Sequence, residues 1–197
     1  CHATEINGPG SNPEHPIVFS KVPTCLLGPY DEIQIRNHTS IDYEAELCVL
    51  IGKICKDVDI NNVDEYIFGY TIICDTTERT IQSKHKQYLL GKSLDKSSPL
   101  GPYIVHKHSI IDPQNLYIET KVNGEVRQKS RTSNFIFKIS EIISLLSKVL
   151  TLEPGDIIAT GTPSGVGKGY KPPKYLNEGD MLEITIEEIG TLKNKLI

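Results

Sequence analysis

With 197 residues, 38% of them hydrophobic and 23% charged, and a formal net charge of -4, the chain has the size and balance of one ordinary soluble domain with a sizeable core. The mild acidity leaves no basic field for nucleic acid, and no apolar stretch approaches the roughly 18 residues of a spanning helix, so neither nucleic acid nor a membrane is an expected partner. The five cysteines form no CxxC pair, which predicts reduced core thiols and not a zinc or disulfide framework.

The start, CHATEINGPG, lacks the basic and apolar regions of a signal peptide, which points to a cytoplasmic location or an organelle matrix. The missing initiator Met points to residues upstream of Cys1. Residues 1–20, rich in Gly, Pro, Asn and Ser, read as a loop able to act as a lid. Short strand-like runs follow at 32–36, 46–51, 67–74, 103–105, 116–122, 157–160 and 181–186. A short helix is expected after Asp75, through ERTIQSKHKQYLL. A longer one is expected in KISEIISLLSKVL, where Ile139, Ile142, Ile143, Leu145, Leu146 and Val149 recur at helical spacing behind Ser140 as cap. NGEV at Asn123 reads as a hairpin turn, and EPGD at Glu153 and NEGD at Asn177 as turns. Strands outnumber helices without regular alternation, so the fold class is α+β, strand-rich, with one or two outer helices and a single domain over 1–197.

The stretch IDYEAELCVLIG holds a conflict. Residues 47–51 are apolar or Cys at every position, as in a strand covered on both faces, yet Asp42, Glu44 and Glu46 alternate just before them. Alternate residues on a strand share a face, with attachment points roughly 6.5–7 Å apart. Two carboxylates about 6 Å apart repel by roughly 2–3 kcal/mol at an effective dielectric near 20. A fold accommodates that with a compensating cation, a raised pKa or full exposure to water. Exposure is the plainest option for DYEAE alone, but the covered strand beside it argues for a cavity mouth. A second run, YTIICD, also ends on a carboxylate, Asp75. An all-oxygen set of two Glu and one Asp favours Mg²⁺ or Mn²⁺ over zinc.

The blocks HATE, DYEAELCVLIGK, GYTIICDTTERTIQ, GKSLDKSSPLGP, NGEVRQKSRTSNFIF and LEPGDIIATGTPSGVG, in that order, resemble the fumarylacetoacetate hydrolase family, specifically its compact single-domain members. The resemblance implies a mixed β-roll, a homodimer, and a divalent metal, usually Mg²⁺, Mn²⁺ or Ca²⁺, held by Glu44, Glu46 and Asp75. Asp42 becomes a supporting residue. Arg79 and Gln82 lie one helical turn apart and can face the metal together. Lys92 resembles the family lysine that fixes or polarises a 2-oxo acid substrate. Thr162, in TGTPSGVG, is expected at the substrate's acid end, and the YKPP that follows excludes the helix a dinucleotide fingerprint requires. His2 and Glu5 resemble the family's catalytic pair, the carboxylate orienting the imidazole.

The expected activity is hydrolysis of a C–C bond in a small acylpyruvate-type 2-oxo acid through a metal-stabilised enolate. The same enolate serves an oxaloacetate decarboxylase or a 2-hydroxyhepta-2,4-diene-1,7-dioate-type isomerase. The expectation from a different class is a metal-dependent module that binds carboxylates without turnover.

Overall fold

The structure, a computed structural model, describes residues 13–197. His2 and Glu5, and most of the expected lid, lie outside the described residues. Residues 15–22 run as irregular chain ahead of a 3-10 turn, Pro23–Cys25.

A five-stranded sheet forms the middle of the molecule, in the order β1 (Leu26–Leu27), β6 (Ser98–His106), β4 (Ile67–Cys74), β3 (Ala45–Ile51), β9 (Ile157–Ala159). Only β1 and β6 run parallel; the other neighbours are antiparallel. Every residue of β3 is buried, as the unbroken apolar run predicts for a strand covered on both faces. A second sheet has the order β11 (Gly190–Lys195), β10 (Met181–Ile186), β7 (Tyr117–Val122), β8 (Glu125–Arg131). Its strands β7 and β10 bury alternate residues, Ile118, Thr120 and Val122 on one and Leu182, Ile184 and Ile186 on the other. A two-residue pairing of β2 (Ile41–Asp42) with β5 (Thr77–Glu78) closes the end where the acids lie. Asn123 and Gly124, at φ 52° and 81°, make the β7–β8 hairpin as a two-residue loop with both φ values positive requires.

Three expectations are corrected. Residues 32–36 are not a strand: Ile33 makes one isolated parallel bridge to Leu196, and Tyr30, Ile33 and Ile35 hydrogen-bond the end of β11 and the residues after it as a crossing segment. The segment after Asp75 is two short helices, α1 (Arg79–Lys84) and α2 (Leu89–Lys92), started by the Glu78 carboxylate at Ile81 N. The longer helix, α3 (Ile139–Val149), is present, but Ser140 is inside it; the Glu141 carboxylate reaches back to Lys138 N at 2.6 Å. Ser144 and Ser147 bind the backbone of Val58, which docks α3 onto the core through Ile139 and Ile143 and leaves Val149 exposed.

The core gathers Leu47, Val49 and Ile72 of the central sheet with Ile184 and Leu192 of the second. Leu47 has no exposed surface and lies one residue from Glu46. Leu47→Ala is therefore expected to lower unfolding free energy by about 2–5 kcal/mol, read from urea denaturation of the two proteins. Cys25, Cys48, Cys55 and Cys74 are free and buried, in line with reduced core thiols. No helix among the described residues is long and apolar enough to cross a membrane.

Candidate metal centre

Strand register assembles the acids. Ala45 pairs with Cys74 at the ends of β3 and β4, and Asp75 N donates to Glu44 O at 2.8 Å, so Glu44, Glu46 and Asp75 meet where the two strands leave the sheet. Their exposures are 2%, 5% and 2%. Full exposure, the plain explanation of the alternating acids, is thereby excluded.

Each carboxylate is held. Arg79 Nη2 lies 2.6 Å from Glu44 Oε1, and Lys92 Nζ lies 2.6 Å from Glu44 Oε2 and 2.5 Å from Asp75 Oδ2. Lys21 Nζ lies 2.8 Å from Asp75 Oδ1 and also donates to Lys92 O. Glu46 Oε2 accepts from Gly161 N at 2.6 Å. With Asp42, which faces Arg79 at 2.8 Å, four acids meet three bases among the described residues, so those seven side chains, fully ionised, sum to one negative charge.

That excess falls on Glu46. Burial, together with the charges of Asp75 and Glu44, pushes its carboxyl up to about 8. Burial works against charge on Lys92 as well, but Glu44, Asp75 and Glu46 outweigh it and raise its pKa, so the ammonium stays protonated. Arg79 behaves in the same way, with Glu44 and Asp42 prevailing over burial. Behind the acids, burial holds the Cys74 thiol up to about 12 and raises Cys48 well above its ordinary value, so both are neutral thiols in the metal-free protein.

A hard divalent cation fits these residues. The donors are all oxygen, each offers an atom within 4.8 Å of the others, and one acid, Glu46, has no cation in hydrogen-bond contact among the described residues. Oxygens that share a Mg²⁺, Mn²⁺ or Ca²⁺ ion at about 2.0–2.6 Å sit within about 4–5 Å of one another. Two consequences are measurable. At pH 7, below the Glu46 value, Mg²⁺ must displace the proton, so calorimetry in buffers of different ionisation enthalpy is expected to show release approaching one proton per ion, vanishing well above pH 8. Without metal, the unfolded chain gives up this proton near 4.5 while the folded chain keeps it until about 8. Stability is therefore expected to fall as pH rises through that window in melts with chelator, and to fall much less with Mg²⁺ present.

The remaining expected residues are near. Arg79 and Gln82 share one face of α1, with Nη1 donating to Gln82 Oε1 at 3.1 Å. Lys92, buried at the end of α2, comes close because Gly91 packs on Gln82: an added Cβ would lie 2.8 Å from the Gln82 Cα. Asp42 supports: it accepts from Arg79, Gly167 N and Lys168 N, tying α1 to the loop after β9. Thr162 lies in that loop, buried, next to Gly161. The loop's Gly161 N–H meets the Glu46 carboxylate.

Two residues were missed. Lys21 comes from FSKVPT, where a lone lysine carries no pattern. Gln128 sits in the polar run EVRQKSR, and its only signal is its place on the buried face of a hairpin strand.

Residues 1–197, the whole chain, match the fumarylacetoacetate (FAA) hydrolase C-terminal family. The chain belongs to the fumarylacetoacetate hydrolase family. It is 50% identical over 197 residues to oxaloacetate tautomerase YisK of Bacillus subtilis, covering 99% of this chain and 65% of that protein. It is 43% identical over 187 residues to the mitochondrial oxaloacetate tautomerase Fahd2a of Rattus norvegicus, covering 94% of this chain and 60% of that one. The chain thus spans somewhat under two thirds of the length of these curated relatives. Among solved structures of the family, the fumarylacetoacetate hydrolase of Exiguobacterium antarcticum superposes with a TM-score of 0.91 at 42% identity, covering 99% of this chain and 70% of that one. A 2-hydroxyhepta-2,4-diene-1,7-dioate isomerase from Mycobacterium marinum superposes with a TM-score of 0.86 at 40% identity, covering 94% and 70%. These likenesses agree with the strand-rich fold expected from the sequence.

Proposed function

We propose that this fumarylacetoacetate hydrolase family domain interconverts the enol and keto forms of a small 2-oxo dicarboxylic acid of the oxaloacetate type. The observation that carries the reading is the convergence of Glu44, Glu46 and Asp75, buried and within 4.8 Å of one another, beside a Lys92 kept charged. The 50% identity to an oxaloacetate tautomerase supports the proton-transfer outcome.

Glu44, Glu46 and Asp75 would hold a hard divalent cation, which supplies Lewis-acid charge opposite the oxygens of the 2-oxo acid. Lys92 adds a fixed ammonium in the same water-poor centre, where charge developing on the enol oxygen is stabilised most. It acts as an electrostatic partner and not as a base, because its neighbours hold its proton on. Arg79 keeps Glu44 in place from the far side, at 2.6 Å. Thr162 receives the substrate's carboxylate. The net change is one proton lost from the enol oxygen and one gained at C3, so no co-reactant is consumed.

The second reading is C–C hydrolysis of an acylpyruvate, with His2 and Glu5 activating water. The likeness to a fumarylacetoacetate hydrolase favours it. One assay separates the two: enol-oxaloacetate and a panel of acylpyruvates are offered with Mg²⁺ or Mn²⁺, while enol absorbance and pyruvate release are followed together. The proposal expects faster enol loss without matching pyruvate. Pyruvate from acylpyruvates alone would move the assignment to hydrolysis, and binding of these acids without turnover of any would overturn both.

A further inference from the structure

We infer that Gln128 is a positioning residue that fixes the Thr162 hydroxyl as a hydrogen-bond donor toward the substrate carboxylate and ties it to the strand bearing the metal ligands. The inference rests on the proposed reading of Thr162 and extends it to a residue outside the acid cluster.

Gln128 is 1% exposed and is the one buried residue of strand β8. Its amide makes four hydrogen bonds: Oε1 accepts from Ala45 N at 3.2 Å and Thr120 Oγ1 at 2.9 Å, and Nε2 donates to Thr162 Oγ1 at 2.8 Å and Pro163 O at 2.9 Å. The orientation of the amide is unambiguous. Ala45 N–H can only donate and Pro163 O can only accept, so exchanging oxygen and nitrogen would break both contacts.

The consequence is chemical. An amide N–H cannot accept, so Thr162 Oγ1 is the acceptor in its contact with Gln128, and the one hydroxyl proton is left to be donated away from the amide. A hydroxyl held this way is a prepared donor for an anion. Ala45 lies between Glu44 and Glu46, so the same side chain joins the backbone of the acid strand to the loop that faces the substrate. Gly165 lets that loop lie directly on β8, since a Cβ there would come within 2.1 Å of Arg127 O.

The test is a double-substitution cycle, read by calorimetric binding of oxalate to the Mg²⁺-loaded protein and, separately, of Mg²⁺ alone. Thr162→Val is expected to weaken oxalate roughly tenfold or more, the scale of a hydrogen bond to a charged group, while Thr162→Ser stays near wild type. Gln128→Met is expected to weaken oxalate by a similar factor, to spare Mg²⁺ binding, and to make Thr162→Val almost silent when the two are combined. Multiplying effects in the double variant would overturn the inference, as would equal losses of oxalate and Mg²⁺ affinity. If Gln128→Met does not fold, Gln128→Leu, which also removes both donors and adds no charge, must give the same cycle. Wild-type protein that binds oxalate yet leaves enol-oxaloacetate unchanged would defeat the functional proposal while this cycle still decides on Gln128. Wild-type protein that binds no oxalate would overturn both.

Discussion

Glu46→Gln is expected to abolish turnover, to weaken Mg²⁺ binding at least roughly 100-fold, beyond the losses usual for outer partners of a metal site, and yet to leave the metal-free protein as stable as before or more so. The reason is the charge excess. Glu44 and Asp75 each contact ammonium or guanidinium groups, whereas Glu46 contacts only the Gly161 N–H among the described residues. Its ionised form is disfavoured by burial and by its two acidic neighbours. A neutral amide of the same shape removes the repulsion and with it the charge that a cation would neutralise. The check is paired: melts with chelator at pH 6 and pH 9, and Mg²⁺ titration by calorimetry. The variant should melt at or above the wild-type temperature at pH 9, and its melting should no longer respond to Mg²⁺.

Lys92→Met is the second large effect, with the opposite stability pattern. Lys92 bridges Glu44 and Asp75 at 2.6 and 2.5 Å with 4% of its side chain exposed. Removing one partner of a buried ion pair costs about 3–5 kcal/mol, because the remaining charges are stranded. Saturating Mg²⁺ should restore much of that loss, since it brings positive charge to the same oxygens. It should not restore rate: kcat is expected to remain roughly 10²–10³-fold down, the scale of losing one prearranged donor at a developing oxyanion. Stability and rate measured against Mg²⁺ concentration separate the two roles; rescue of both would mean that Lys92 serves only to balance charge.

The sequence carried the fold where residue pattern and burial coincide. The 47–51 run lies in β3, where every position is buried, and the 67–74 run became β4, buried everywhere but Phe68, so nearly every position had to be uncharged. β8 and β11 were invisible because their outward residues are charged and their inward ones include Gln128 and Asn194, so neither shows an apolar alternation. β6 was seen only at 103–105, since Pro99, Gly101 and Pro102 argue against a strand. The chain tolerates them at a bulge: Tyr70 pairs with Val105 and Ile72 with Gly101, and Tyr103 and Ile104 bow outward into exposure.

The acid cluster was legible for a different reason. Carboxylates alternating into a covered strand are energetically out of place, and that misfit can be read without coordinates. Lys21 and Gln128, which tie the site to the rest of the chain, are not legible in that way. Lys21 lies 54 residues from Asp75 along the chain, and Gln128 lies 83 from Ala45, so only the topology brings them together. Nothing local in FSKVPT or EVRQKSR distinguishes a buried tether from a solvated surface.

The most direct measurement is a crystal of this protein grown with Mn²⁺, with anomalous scattering used to locate the ion. A single strong peak coordinated by Glu44, Glu46 and Asp75 together is the predicted result. Maps in which these carboxylates bind only Lys21, Arg79 and Lys92, with the manganese signal elsewhere or absent at saturating metal, would contradict the account.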